Sequence, residues 1–200
     1  MQKPAITQTP IHELLASRWS GRAYDPSKPV TPTQIIALLE AARWAPSCFG
    51  DQPWRMVVWD KSADAPAWWQ AFDCLAPSNQ TWAVDAPVLM LVVADSLFNH
   101  NGQPNRWAQY DAGAAAENLC LQAQAMGLMA HQMGGFDVDK VRELAKVPTQ
   151  YSPMAMLTVG VAAQDPATFK DEIKERELAP RKRRELNDLF FAGSWDKGVS

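Results

Sequence analysis

The chain has little of several things, and each shortage removes a class of function. Three cysteines, Cys48, Cys74 and Cys120, are too few and too scattered for a disulfide framework or a zinc site. No apolar run approaches the ~20 residues of a membrane span, and the opening MQKPAITQTP lacks the apolar stretch of a signal peptide. The chain is therefore expected in the cytoplasm, with no membrane partner. A net charge of −3 offers no basic surplus for nucleic acid. His12, His100 and His131 all lie far in sequence from any candidate nucleophile, and no GxSxG, HExxH, GxxxxGK or GxGxxG motif occurs. An enzyme with so little acid–base equipment, and no metal ligands at useful spacing, would need a cofactor to carry the reactive atom.

What is present is globular. With 47% hydrophobic and 20% charged residues over 200 positions, the chain suits one domain, or a subunit that completes itself by dimerising. Nine tryptophans suit stacking on rings, although core packing is the commoner use. The stretch that organises the rest is APSCFGDQPWRMVVW, Ala45 to Trp59. Pro46, Gly50 and Pro53 cannot all be helical, so a turn rich in small and polar residues joins a helix to a strand. Free backbone N–H groups in such a turn can meet a flat polar ligand; an ordinary αβ connection is the alternative. Cys48 in this turn has only Arg55 nearby to lower its pKa, so a thiol nucleophile is the weaker reading.

In chain order, Thr9-Pro10 predicts a helix start with Ile11, Leu14 and Leu15 on its apolar face. Arg18 to Tyr24 follows in extended form, which places Arg18, Ser20 and Arg22 on one side, as suits a phosphate or anionic ring edge; a solvated basic edge is the alternative. Thr31-Pro32-Thr33-Gln34 announces a second helix with Ile35, Leu38, Leu39, Ala42 and Trp44 on its buried side. A helical excursion occupies 60–86, and Pro87 to Asp95 reads as a strand buried on both faces. Arg106 to Leu128 is the longest helix, with small residues that let a partner helix approach. Met129 to Met133 is a strand leading to Gly134-Gly135-Phe136, where glycines permit close approach to a ligand, or simply a turn. Asp137 caps a helix to Lys146, and Met154 to Ala162 is another buried strand. Lys170 to Arg176 reads as solvated, and Leu186 to Phe191 is an apolar strip without a partner in its own chain.

Arg18-Trp19-Ser20-Gly21-Arg22-Ala23-Tyr24, Pro46-Ser47 to Gln52-Pro53-Trp54, Gly135-Phe136 and Arg181-Lys182-Arg183 stand in that order. Together they resemble the signatures of the nitroreductase family of flavin mononucleotide (FMN) enzymes. The resemblance implies an α+β fold: a three-layer α/β/α sandwich with a mixed, mainly antiparallel sheet flanked by helices. It also implies a homodimer with flavin sites at the interface and a C-terminal arm, about 165–200, swapped onto the partner. Arg18, Trp19, Ser20, Arg181 and Arg183 would meet the FMN phosphate and ribityl chain, with Arg22 toward the pyrimidine edge. Pro46, Ser47 and Cys48 would approach the ring from the other subunit, with Gln52 holding their turn. Gly134 and Gly135 would lie near the ring. Gly50 and Cys48 depart from the asparagine and serine common in the family. The implied activity is reduction of nitroaromatics, quinones or related small-molecule acceptors with NADH or NADPH, the flavin carrying the chemistry. A same-fold dehalogenase, a flavin-cleaving enzyme and a non-catalytic flavin-binding module are the alternatives.

Overall fold

Thr31 begins a helix just as its capping box predicts. In the computed structural model of the chain, which describes residues 3–199, the Gln34 N–H donates to the Thr31 hydroxyl at 3.2 Å. The Thr31 N–H donates in return to the Gln34 side chain at 2.9 Å. The resulting helix α2 (Pro32–Arg43) buries Ile35, Leu38 and Ala42. Trp44, expected on that side, is instead 75% exposed. Two residues past Ala42 it points round to the opposite side of the helix, where the Arg43 guanidinium lies 5.2 Å over its ring.

Helix α1 (Glu13–Ser17) starts later than Thr9-Pro10 predicts. His12 is the effective cap, its Nδ1 accepting the Leu14 N–H at 3.2 Å. Ile11 and Leu15 are 46% and 47% exposed, so no burial holds an earlier turn in helical form.

Among the described residues four strands form one sheet in the order β1-β2-β4-β3: β1 (Trp54–Asp60), β2 (Val88–Asp95), β3 (Met129–Met133) and β4 (Tyr151–Gly160). All three pairings are antiparallel. Every residue of β2 is buried. Alternation across the strand sends Leu89, Leu91 and Val93 into one core and Val88, Met90, Val92 and Ala94 into another. A strand covered on both faces has no use for a polar alternate position, which is why this one reads as a continuous apolar run. Burying each such aliphatic side chain contributes about 1.5–3 kcal/mol.

Helices α2 and α5 (Ala108–Ala125) cover one face of the sheet. The other is covered by α3 (Ala65–Phe72), α4 (Pro77–Ala83), α6 (Val138–Leu144) and α7 (Asp171–Leu178). The fold is thus the expected three-layer α+β sandwich. Gly127 ends α5 with φ +71°, a left-handed position where glycine costs nothing.

The C-terminal region divides in two. Lys170 to Arg176, read as solvated from its charges, lies almost wholly within α7, which buries Ile173 and Glu177, while Phe169 joins the same core. Beyond α7 the chain runs over the surface: Leu186, Leu189 and Phe190 are 43–53% exposed. Within one copy, then, α7 packs on its own chain's core and the exposed stretch begins after it.

Candidate functional site

The extended segment after α1 is held by the sheet edge and by the C-terminal helix. Arg18 leaves α1 with φ −62° and ψ 131°, and Tyr24 forms a β-bridge with Ala162. Gly21 is wedged between them. A Cβ there would run into Met129 Sδ and stand 2.9 Å from the Trp19 ring, so any larger residue would have to push these side chains aside. The Gly21 carbonyl accepts a hydrogen bond from buried His131 Nδ1 at 3.0 Å. A carbonyl can only accept, so Nδ1 carries the proton. Burial lowers His131 to about 4, which keeps the ring neutral. Trp82 packs 4.6 Å from the imidazole, and the Arg22 guanidinium lies 5.8 Å over the Trp82 ring. Tyr24 anchors the end of the segment: its hydroxyl is 2.7 Å from Thr158 Oγ1, and burial pushes its phenol well up.

Glu177, which the sequence hides in a charged stretch, is the second anchor. It is only 1% exposed and accepts the Arg22 N–H at 3.0 Å. The only sequence signal for it is Ile173, one turn earlier and so on the same helix face.

Basic residues from opposite ends of the chain lie near one another. Burial and the neighbouring charges of Arg18 and Arg183 lower Arg181. Arg181 ties the N-terminal arm to α1, donating to the carbonyls of Lys3 at 2.9 Å and Ala16 at 2.7 Å. Arg183 is exposed, and among the described residues its hydrogen bond is to the neighbouring Lys182 carbonyl, at 2.8 Å. Arg18 pairs with Glu117 of α5 at 3.3 Å. Arg22 turns instead toward Glu177 and Trp82, so Arg18 and Arg22 do not share one set of neighbours. Ser20 is exposed, and Trp19 lines a cleft of about 310 Å³ together with Lys3, Ser17, Gln124 and Met129.

The turn 46–53 is a separate half. Cys48–Gly50 forms one 3₁₀ turn, and Phe49, Gly50 and Gln52 have φ of +54°, +66° and +51°. A bulky residue such as Phe49 in the left-handed region is uncommon, and such backbone concentrates at functional sites. Pro46 is exposed, and Ser47 and Cys48 are half-buried. Two bonds stabilise the shape: Gln52 N–H donates to Ser47 Oγ and Cys48 N–H to Asp111 Oδ2, each at 3.0 Å. Asp51 is occupied elsewhere, accepting the Asn99 N–H at 2.9 Å. Phe49, Asp51, Asn99 and His100 rim an open hollow of about 380 Å³.

Gly134 and Gly135 differ. Gly134 is exposed, with open space where a Cβ would stand, whereas the Gly135 carbonyl accepts from Ala76 N–H and Asn79 Nδ2, both at 2.9 Å. Only the first offers bare backbone to a ligand.

No hydrogen bond or ion pair among the described residues joins the turn to the arginine-bearing segments. Helix α5 shows why. Asp111 holds the turn and Glu117 holds Arg18, six residues apart. That is about 9 Å along the axis and about 120° around it, so one copy presents the two halves in different directions. Among the described residues no cluster of His, Cys, Asp and Glu suits a metal, and no helix is long and apolar enough to cross a membrane.

The family model described as the nitroreductase family matches residues 15–161. A crystal structure described as an oxidoreductase containing FMN superposes with a TM-score of 0.88 at 33% identity, with 96% of each chain covered. An uncharacterised 15.4 kDa protein of Mycolicibacterium smegmatis is 36% identical over 121 residues, 60% of this chain and 80% of the relative. The Bacillus subtilis protein named "Putative NAD(P)H nitroreductase YdgI" is 26% identical over 189 residues, covering 76% of this chain and 88% of its own.

Proposed function

The chain belongs to the nitroreductase family, and from that premise we propose that it is an FMN-dependent oxidoreductase using NADH or NADPH. The observation that carries the reading is the arginine group. Arg18, Arg181 and Arg183 lie close enough for their charges to act on one another. Only one of the three has an ion-pair partner among the described residues, Arg18 with Glu117. An anion placed there relieves the repulsion, and a guanidinium fork is shaped for phosphate oxygens. The donor set fits a monophosphate such as that of FMN, and the relative described as containing FMN supports the choice.

In this reading Arg18, Arg183 and Ser20 bind the phosphate and ribityl chain, with Trp19 beside them. Arg181 holds the N-terminal arm and α1 in place around them. Arg22 supplies positive charge toward the ring, and the bare backbone at Gly134 leaves room for it. Held there by Arg18, Ser20 and Arg183, FMN would supply the redox chemistry that carries electrons from NADH or NADPH to a nitroaromatic, quinone or related acceptor in ping-pong fashion. The chain's own groups orient, screen and exclude water.

The second half of the site comes from a second copy. Tyr110, Gly113, Ala114, Glu117 and Leu121 form one face of α5, and Tyr110 on it is 79% exposed. Small residues on that face allow a second copy to approach closely. Arg18 is paired to Glu117 on this same face, so a partner docking here would bring its Pro46, Ser47 and Cys48 toward the phosphate clamp. Leu186, Leu189 and Phe190 supply more apolar surface for the same partner.

The purified protein should be yellow, release FMN on denaturation, and oxidise NAD(P)H when a quinone or nitroaromatic is added. It should sediment as a dimer with two equivalent flavins. A colourless chain that takes up no FMN at micromolar concentration defeats the cofactor assignment. A flavin-loaded monomer defeats the shared site.

A further inference from the structure

Glu177 does more than a buried hydrogen-bond acceptor has to. Its carboxylate takes the Arg22 N–H at 3.0 Å and stands 4.0 Å from the Arg22 guanidinium. The Ala23 N–H also bonds it, and the Lys3 ammonium donates to its backbone carbonyl at 2.8 Å. With 1% exposure it has lost nearly all its water. Burial raises its carboxyl, while the two N–H groups and the charges of Arg22 and Lys3 act the other way; Tyr24, kept neutral by burial, is a further titratable neighbour. A neutral amide could hold two backbone N–H groups without the cost of desolvating a charge. A carboxyl here therefore calls for a role of its own, and the charged side chain paired with it is Arg22, at 4.0 Å.

We infer that Glu177 is a positioning residue that also sets the effective charge of Arg22. It fixes the 20–23 backbone from α7 and offsets the positive charge that Arg22 presents to the bound flavin. The inference rests on the proposed FMN site. It assigns the C-terminal helix a part in the redox poise, although Glu177 itself need not touch the cofactor. Reduction of FMN adds negative charge to the ring, so an unopposed Arg22 favours the reduced form.

The test is the flavin midpoint potential of the FMN-loaded dimer, measured with wild type, Glu177→Gln and Glu177→Ala. Glu177→Gln keeps an acceptor for the segment and removes the charge. It should retain FMN and raise affinity for reduced over oxidised flavin on the order of tenfold, read as a more positive potential. Adding it to Arg22→Gln should bring the potential back toward the wild-type value, because the two charges act on the ring with opposite signs. Glu177→Ala also removes the acceptor, so FMN affinity should fall as well. If Glu177→Gln fails to fold, Glu177→Asp, which draws the charge back from Arg22, should give a smaller shift of the same sign. A loaded Glu177→Gln protein with the wild-type potential overturns this inference alone. A wild-type chain that binds no FMN overturns the underlying site, and this inference with it.

Discussion

Acidification should strip about 3 kcal/mol from the stability of the folded chain through a single residue, His131. Its folded pKa is depressed from 6.5 to about 4, chiefly because burial penalises the charged ring, with the Arg22 and Arg18 charges acting the same way. The Gly21 and Ser20 carbonyls oppose the shift and do not overcome it. A depressed histidine contributes its full stability above pH 6.5, and that contribution is lost as pH falls toward 4. Glu177 acts with the other sign: its raised carboxyl contributes stability that fades as pH rises through its folded value. Denaturant titrations at a series of pH values measure the slope. His131→Asn keeps a donor for the Gly21 carbonyl but cannot charge, so its stability should be flatter across the same window, even though lost packing against Trp82 lowers it throughout. A variant with the wild-type acid slope would clear His131 of responsibility. The same residue positions Gly21, and through it Ser20 and Arg22, so flavin should be released along with acid unfolding.

Replacing Arg18 or Arg183 by alanine should weaken FMN binding about tenfold to a hundredfold, the value of one charge-assisted hydrogen bond of roughly 1.5–3 kcal/mol. The two are not equivalent. Arg183 is exposed and, among the described residues, bonds a neighbouring carbonyl, so removing it should leave the fold untouched. Arg18 must share itself with Glu117 at 3.3 Å, so its contribution should come toward the lower end of that range. Arg181→Ala belongs in the series as a contrast, since it also strips two hydrogen bonds from the Lys3 and Ala16 carbonyls and should lower stability as well as affinity. Flavin titration of the apoproteins decides. Changes under about 0.5 kcal/mol for both Arg18 and Arg183 would mark them as ordinary surface arginines and move the phosphate elsewhere.

Much of the architecture is written locally. Thr31 and Gln34 cap α2, Gly127 ends α5, Asp137 caps α6, and the apolar run Val88 to Asp95 is the strand buried on both faces. These features depend on neighbours within a few residues, so a linear reading captures them. The arginine-bearing segments were legible for a related reason, since each carries its residue types at short spacing. Tertiary structure alone decided what those segments face. Extended geometry places Arg18 and Arg22 on one side, yet packing sends one guanidinium to Glu117 and the other to Glu177 and Trp82. Glu177 reads as one more charge in DEIKEREL until α7 turns it inward, because burial is a property of contacts made across 155 residues of chain. His131 gains its neutral ring and its hold on Gly21 in the same way. The turn at 46–53 announces itself through Pro46, Gly50 and Pro53, but its left-handed Phe49 and its anchor on Asp111 arise only when α5 is in place. Local rules set the elements; the charges, pKa values and reach of the site follow from which distant groups the folded chain excludes from water together.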